Sequence, residues 1–315
     1  MIQVLLNSLV PIFAVAGLGY VAGRKRELDN GHLAELNALV VEFAIPASLF
    51  VTTAGTRRAV LAAQWPLLVV LGVTMLALYG LSYVLQRAAF HLAPGEASVQ
   101  SLTVALPNFA AAGFPLFSAV FGPDDTVGVV LAIAAGSVLL APLTLAVLEL
   151  QKGLPAAAGK RGGVTLAIAR SLRKPVVLAP LLGVAFSLLG IPLPQAAVRS
   201  LQLIGQAAGG VALFLTGLIL SAQRISLNSN VWSATLLRNV VHPLLALGLL
   251  LVLPMDRETA RAVILLCAFP SGIFGVLFAL SYGVESRVAG STLIVSSLAS
   301  AVTLPVALIL TSSWG

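Results

Sequence analysis

Apolar positions along the chain fall in continuous blocks rather than alternating with polar ones. Ten such blocks stand out, at 3–23, 32–53, 65–86, 98–121, 126–149, 175–191, 198–221, 231–253, 260–281 and 288–311. Each is rich in Leu, Ala, Val and Gly, and most linkers between them are short. A helix rises 1.5 Å per residue, so about 20 residues cross a hydrocarbon layer of about 30 Å. A β-barrel would need alternating segments of about ten residues. The pattern therefore predicts an all-α membrane protein of ten transmembrane helices. Backbone groups in lipid must all be paired, which leaves helices as the solution for blocks of this length.

Composition strengthens that reading. Of 315 residues, 59% are hydrophobic and only 9% are charged, against roughly 25% charged in soluble domains. No soluble fold could cover itself with so little polar surface. The longest linker, 151–174, carries Lys152, Lys160, Arg161, Arg170, Arg173 and Lys174, and its Pro155 and Gly159 to Gly163 predict an irregular connection. With the N-terminus outside, 12 of the 18 Lys and Arg residues fall in cytoplasmic links and 5 on the opposite side, with Arg238 inside a span. Basic loops stay inside, so both termini are expected in the periplasm of a bacterial inner-membrane protein. The net charge of +7 then reflects topology. A nucleic-acid role, which needs a basic groove with aromatic platforms, is not expected. Trp65, Trp232 and Trp314 lie at span ends, where indoles anchor to the interface.

Chemistry-bearing motifs are few. Cys267 is the one cysteine, and His32, His91 and His242 are scattered. No metal, cofactor or phosphate-loop motif can be assembled, nor any nucleophile–base pair, so the chain is not expected to be an enzyme. Residues 1–10 lack the basic start of a cleaved signal peptide.

The two halves of the sequence echo each other. Pro107 lies over Pro270, Ser137 over Ser300 and Pro142 over Pro305, each 163 positions apart, while Glu42–Phe50 lies over Gln206–Phe214 at 164. Residues 1–150 then form a first repeat of five helices, 151–174 a cytoplasmic linker, and 175–315 a second repeat. An odd number of spans forces the second copy to insert upside down. Such 5+5 inverted repeats give two near-equivalent conformations facing opposite sides, which is the basis of alternating access.

Spans 4 and 9 carry the candidate site. Span 4 contains Pro107-Asn108 and Gly113; span 9 contains Pro270-Ser271-Gly272. Proline removes a donor and clashes with the preceding turn, while glycine lets the chain leave helical geometry. Interrupted spans at corresponding positions of two repeats point to a transport site. Neither break contains a charged residue. Asn108 and Ser271 offer neutral hydrogen bonds suited to a carboxylate or an amide. Glu42 is an acid placed deep in a span, opposite Gln206 in the other repeat, and could carry a proton or stay neutral in a helix interface. Arg238 and His242 are i,i+4 in span 8 and share a face. They could meet an anion or take part in coupling; the blander expectation is that Arg238 snorkels to the interface and His242 is packed.

The combination resembles the auxin efflux carrier (AEC) family, including its bacterial malonate- and malate-type permeases. The resemblance rests on Asn7-Ser8-Leu9-Val10-Pro11-Ile12-Phe13 with Gly17-Leu18-Gly19-Tyr20, on Leu39 to Phe50 with Pro46, on Leu106-Pro107-Asn108-Phe109 with Gly113-Phe114-Pro115, and on Phe269-Pro270-Ser271-Gly272 with Gly275. It covers essentially the whole chain. It implies a fold like that of PIN-formed exporters and bile-acid symporters, with broken helices 4 and 9 crossing. A scaffold of 1–60 and 175–227 would form a homodimer through helices 2 and 7. A transport domain of 61–150 and 228–315 would move like an elevator. Ser271 stands where the plant exporters would have Asn, so auxin specificity is not implied.

The expected function is transport of a small organic anion, a mono- or dicarboxylate, bound between Asn108 and Ser271 on one side and Glu42 and Gln206 on the other. A coupled proton is expected over sodium. Two alternatives stay open: a sodium-coupled organic-anion symporter, and a non-transporting receptor on the same fold.

Overall fold

The computed structural model describes residues 2–28, 33–109, 113–122, 127–152, 159–222, 225–253 and 255–314. Residues 110–112 of the first break, Pro155 of the linker, His32 and Arg224 lie outside the described residues. Nearly all of the rest is helical. In chain order the helices are α1 (Ile2–Arg24), α2 (Leu33–Ala38), α3 (Ile45–Gly55), α4 (Arg58–Ala63), α5 (Trp65–Ala88), α6 (Pro94–Ala105), α7 (Phe114–Val120), α8 (Val127–Gln151) and α9 (Gly159–Leu172). They continue with α10 (Pro175–Leu189), α11 (Gln195–Gly205), α12 (Ala207–Ala222), α13 (Ser229–Leu236), α14 (His242–Val252), α15 (Arg257–Ala268), α16 (Phe274–Tyr282) and α17 (Arg287–Leu310).

Six helical stretches among the described residues are long and apolar enough to cross a membrane: Leu33–Gly55, Trp65–Ala88, Val127–Gln151, Gln195–Ala222, Ser229–Val252 and Arg287–Leu310. A seventh arises if Gly163–Leu172 and Pro175–Leu189, which meet at 62°, count together. The other expected spans are 1, 4 and 9. In the first, the apolar stretch is short, Val10–Arg24. Spans 4 and 9 are interrupted, so their pieces of 12 and 7, and of 12 and 9 residues, each fall short of the required length.

Polarity runs opposite to that of a soluble protein. Large apolar side chains face outward, with Leu251 82% and Leu310 69% exposed. The interior holds Gln86, Gln100, Asn230, Arg238, Asn239 and many Ser and Thr. Hydrocarbon would accept the outside, and the polar groups find partners within. Trp65 opens α5 and Trp232 lies in the first turn of α13; they are 61% and 56% exposed.

Two packing groups are apparent. In one, α1 lies along α12 and α3 along α10. A Cβ on Gly217 would sit 1.8 Å from the Ala16 carbonyl oxygen, and one on Gly19 1.9 Å from that of Phe214. Only glycine allows α1 and α12 to approach this closely. In the other group, α5 packs on α6, α8 and α14, and α17 packs on α13 and α15.

Two π-helical turns interrupt long spans, at Leu39–Ala44 and Leu237–Val241. Each is followed by a proline near the start of the next helix, Pro46 or Pro243. A proline cannot donate to the carbonyl four residues back, here that of Glu42 or Asn239, and its ring pushes that carbonyl away. The chain absorbs the misfit as a wider turn.

One expectation fails in the linker. The glycines of 159–163 predict an irregular connection, yet Gly159–Leu172 is helix α9. It packs on α8 and buries Ala167 and Ser171 completely. Tertiary burial outweighs the roughly 1 kcal/mol cost of each helical glycine.

Candidate functional site: two paired helix breaks

The interruption in span 4 begins where α6 ends. Leu106 is extended, with φ −99° and ψ 106°. In span 9, Phe269 follows α15 with φ −63° and ψ 153°. Both residues precede a proline, whose ring disfavours helical geometry in the residue before it. The bias is local and does not decide the break by itself, since Pro11, Pro142, Pro180 and Pro305 lie inside helices; at 107 and 270 the pairing of the two stretches adds to it.

The two stretches pair with each other. Pro107 and Ser271 form an isolated antiparallel bridge. The Asn108 N–H donates to the Pro270 carbonyl at 3.0 Å, and the Gly272 N–H to that of Thr103 at 3.1 Å. The Ser271 N–H donates to Ser296 Oγ at 2.9 Å, and that hydroxyl donates to Asn239 Oδ1 at 2.6 Å. Asn239 Nδ2 in turn donates to the Ser296 carbonyl at 3.0 Å. Donors released by helix breaking are thus met inside the protein. Gly272 is required here, because a Cβ would lie 2.1 Å from the Leu106 carbonyl oxygen. Phe109 and Phe269 meet edge to face, with ring centroids 6.2 Å apart.

Two further released carbonyls share one donor group. Arg238, in the second π turn, is fully buried. Its Nη1 donates to the Val104 carbonyl at 3.2 Å, and Nη2 donates to the Cys267 carbonyl. Val104 and Cys267 are the next-to-last residues of α6 and α15. The expectation that Arg238 snorkels to the interface is therefore corrected: acceptors from two other helices hold it inside. His242, one turn on, is also fully buried, and neither ring nitrogen has a partner among the described residues.

A cavity of about 80 Å³ lies against the first break. Its walls include Ser48, Leu49 and Thr52 of α3, Pro107, Asn108 and Phe109, Ser137 of α8, Ala208 and Gly209 of α12, and Phe274 of α16. Asn108 Nδ2 and Ser137 Oγ are buried and have no partner among the described residues. Both can donate to an acceptor placed in the cavity. Thr52 also borders a wider cavity of about 650 Å³ that reaches Thr56, Arg57, Ile191 and Gln202 at one end of the bundle.

Of the expected site residues, Pro107 and Asn108 line this cavity. Pro270, Ser271 and Gly272 hold the partner break by backbone contacts, and Ser271 Oγ is buried without a partner. Gly113 packs on Val129, where a Cβ would come within 2.7 Å of Cγ1. Gln206 is an exposed residue between α11 and α12, just before the lining residues Ala208 and Gly209. Glu42 is not among the lining residues either; it borders a separate cavity of about 70 Å³ with Lys152, Lys174, Ser281 and Tyr282. Ser48, Thr52 and Ser137 were missed as site residues. The i,i+4 spacing of Ser48 and Thr52, which puts two hydroxyls on one face of the span, was the available signal.

The cavity beside Glu42 sits in a charged cluster. Tyr282 donates to Glu149 Oε1 at 2.6 Å. Arg170 and Lys174 approach the same carboxylate at 3.8 and 3.9 Å. Lys152 Nζ lies 4.2 Å from the centre of the Tyr282 ring. Asn37 Nδ2 donates to Ser281 Oγ at 2.8 Å and to the Leu277 carbonyl at 3.0 Å. The cluster ties α2, α8, α9 and α10 to the end of α16. Outside the spans, Asp256 caps α15 by accepting the Thr259 N–H at 2.8 Å, and this bond holds its carboxyl below the ordinary value.

Comparison with known proteins bears on this geometry. A family model described as membrane transport protein matches residues 4–308. The uncharacterised transporter YfdV of Escherichia coli (strain K12) is 28% identical over 306 residues, covering 97% of each chain. A candidate malonate transporter of Rhizobium meliloti (strain 1021) is 26% identical over 301 residues, covering 94% of this chain and 92% of that one. Auxin efflux carrier component 6 of Arabidopsis thaliana is 30% identical over 144 residues, or 44% of this chain and 25% of that protein.

Proposed function

The chain belongs to the auxin efflux carrier family of membrane transport proteins, and on that premise we propose that it carries a small mono- or dicarboxylate across the bacterial inner membrane by alternating access. The observation that carries the reading is the cavity at the paired breaks, where two buried donors, Asn108 Nδ2 and Ser137 Oγ, have no partner among the described residues. A carboxylate accepts such bonds with its full charge, so each is worth about 1.5–3 kcal/mol. The name of the Rhizobium relative supports a malonate-sized substrate.

The rest of the proposal follows the same frame. The chain crosses the membrane ten times, with spans 4 and 9 broken and crossing at the cavity, in a 5+5 inverted repeat. Both termini face the periplasm. Helices α1, α3, α10 and α12 form the scaffold, and the group around α5, α6, α8 and α13–α17 moves against it as an elevator. The cavity is lined from both groups, which supports this division. The wide opening at Arg57 then faces the periplasm, and the Glu149–Tyr282 cluster closes the cytoplasmic side. Energy comes from the substrate gradient, the membrane potential or a coupled proton, for which Glu42, beside Lys152 and Lys174, is the candidate carrier. Phe43 and Leu203 are exposed on spans 2 and 7, where a homodimer would form.

Purified protein in liposomes loaded with unlabelled malonate, succinate or malate tests the reading. Exchange of external labelled carboxylate for at least one of them is expected. Binding without exchange, with each carboxylate raising thermal stability but none crossing, would instead identify a receptor.

A further inference from the structure

We propose that Arg238 is a tethered cation that occupies, at the meeting point of the two broken helices, the position a diffusible coupling ion would need. A helix end leaves its last carbonyls unpaired and carries about half a negative charge. In carriers built with broken helices, such ends are where sodium ions or protons are coordinated. Here α6 and α15 end together, and two ends of about half a charge each match one guanidinium. Arg238 donates one arm to Val104 and the other to Cys267. These carbonyls sit at corresponding positions, 163 residues apart, the same offset as Pro107 and Pro270.

The surroundings exclude the usual alternative, a buried ion pair. Among the described residues no carboxylate pairs with Arg238: Glu149 is held by Arg170 and Lys174, and Glu285 by Arg287. None of the groups near it is a carboxylate: they are the Cys267 thiol, Thr74 at 3.9 Å from that sulfur, and His242 one turn along. A full charge in this setting is tolerated only if the two helix ends neutralise it. Arginine suits the task because its planar fork serves two acceptors at once, which a compact ammonium cannot do with the same reach. Arg238 is also absent from the walls of the cavity beside Asn108. It acts on transport as a positioning residue that holds both breaks, while the substrate stays on the other side of the pair.

The consequence is independence from sodium in the native protein, and a demand for a cation once Arg238 is removed. The test uses the full-length protein in detergent and reads thermal stability, so it does not depend on which substrate is carried. Native protein is expected to unfold within about 1 °C of the same temperature in sodium, potassium and choline chloride; an ion bound at 100 times its Kd would shift it by several degrees. Arg238→Ala is expected to unfold about 5 °C or more lower. Guanidinium chloride at tens of millimolar should recover about half of that loss, while urea, a neutral molecule of the same planar shape, should recover none. If Arg238→Ala does not fold, Arg238→Lys and Arg238→Met replace it, and the lysine variant should retain clearly more stability than methionine. A sodium-specific rise in the native protein, equal rescue by urea, an Arg238→Ala protein as stable as the native one, or equal loss in the Lys and Met variants would each overturn the proposal. Failure of the carboxylate-carrier reading alone would leave these results unchanged.

Discussion

Asn108 donates its backbone N–H to the Pro270 carbonyl at 3.0 Å, binding one helix break to the other, while its side-chain Nδ2, at the cavity wall, has no partner among the described residues. Backbone and side chain therefore have separable roles. Asn108→Ala keeps the first and deletes the second. Carboxylate exchange in liposomes should fall about tenfold or more, as expected for one hydrogen bond to a charged group. The unfolding temperature should stay within about 2 °C of the native value. Asn108→Asp adds a repelling charge and should reduce exchange further.

Gly272→Ala tests the pairing itself. Its Cβ would lie 2.1 Å from the Leu106 carbonyl oxygen, a backbone atom that cannot rotate away. The breaks must separate, at a cost of about 3 kcal/mol or more. Gly248→Ala is the control, since nothing lies within 4 Å of its Cβ position. In the middle of α14 that change should be neutral, or stabilising by up to about 1 kcal/mol. Thermal unfolding of the two variants in detergent reads the difference.

The charged cluster at the far end should act as a lock. Tyr282→Phe removes the bond to Glu149 without removing the ring under Lys152. A bond to a charged group is worth about 1.5 kcal/mol, so opening of this end should become roughly tenfold more frequent. A reporter cysteine at Val41, which lines the adjacent cavity, would read this as a faster alkylation rate in the double variant than in Val41→Cys alone.

Asp256 gives a pH signature outside the membrane. Its carboxyl is lowered from 3.8 chiefly by the Thr259 N–H. A carboxyl depressed in the folded state adds stability above its unfolded value and loses it as pH falls through the folded one. Asp256→Ala should cost about 1 kcal/mol at neutral pH, with the gap to the native protein closing below about pH 4. Asp256→Asn keeps the cap and should show no such closing. Unfolding temperature measured against pH decides between these.

Much of this arrangement was legible in the residues. Pro107 and Pro270 bias the residue before them out of helix, but Pro11, Pro142, Pro180 and Pro305 lie inside helices, so the breaks were legible from proline together with the polar residue and glycine that follow and from the match between the two halves. The π turns obey the same logic, with Pro46 and Pro243 four positions after Glu42 and Asn239. Helix α9 was hidden because its stability comes from burying Ala167 and Ser171 on α8, a tertiary fact that outweighs its glycines. Arg238 was misjudged for a related reason. Depth along a span suggests snorkelling, but the acceptors that hold it come from α6 and α15, more than a hundred and about thirty residues away in opposite directions. Glu42 drew attention as a rare acid, while the short side chains Ser48 and Thr52, which line the cavity, resembled ordinary span filler.

Occupation of the cavity by the carried anion is tested most directly by chemical protection. Ser137 is buried but lines the cavity, while the native cysteine, Cys267, is buried and lines neither this cavity nor the wide one at Arg57, so background labelling is low. Ser137→Cys should react with a small, charged thiol reagent applied to liposomes, and the carboxylate exchanged best should slow that reaction in proportion to its occupancy. A cysteine at 137 that reacts at the same rate with and without saturating carboxylate, in protein that still exchanges it, would contradict the account.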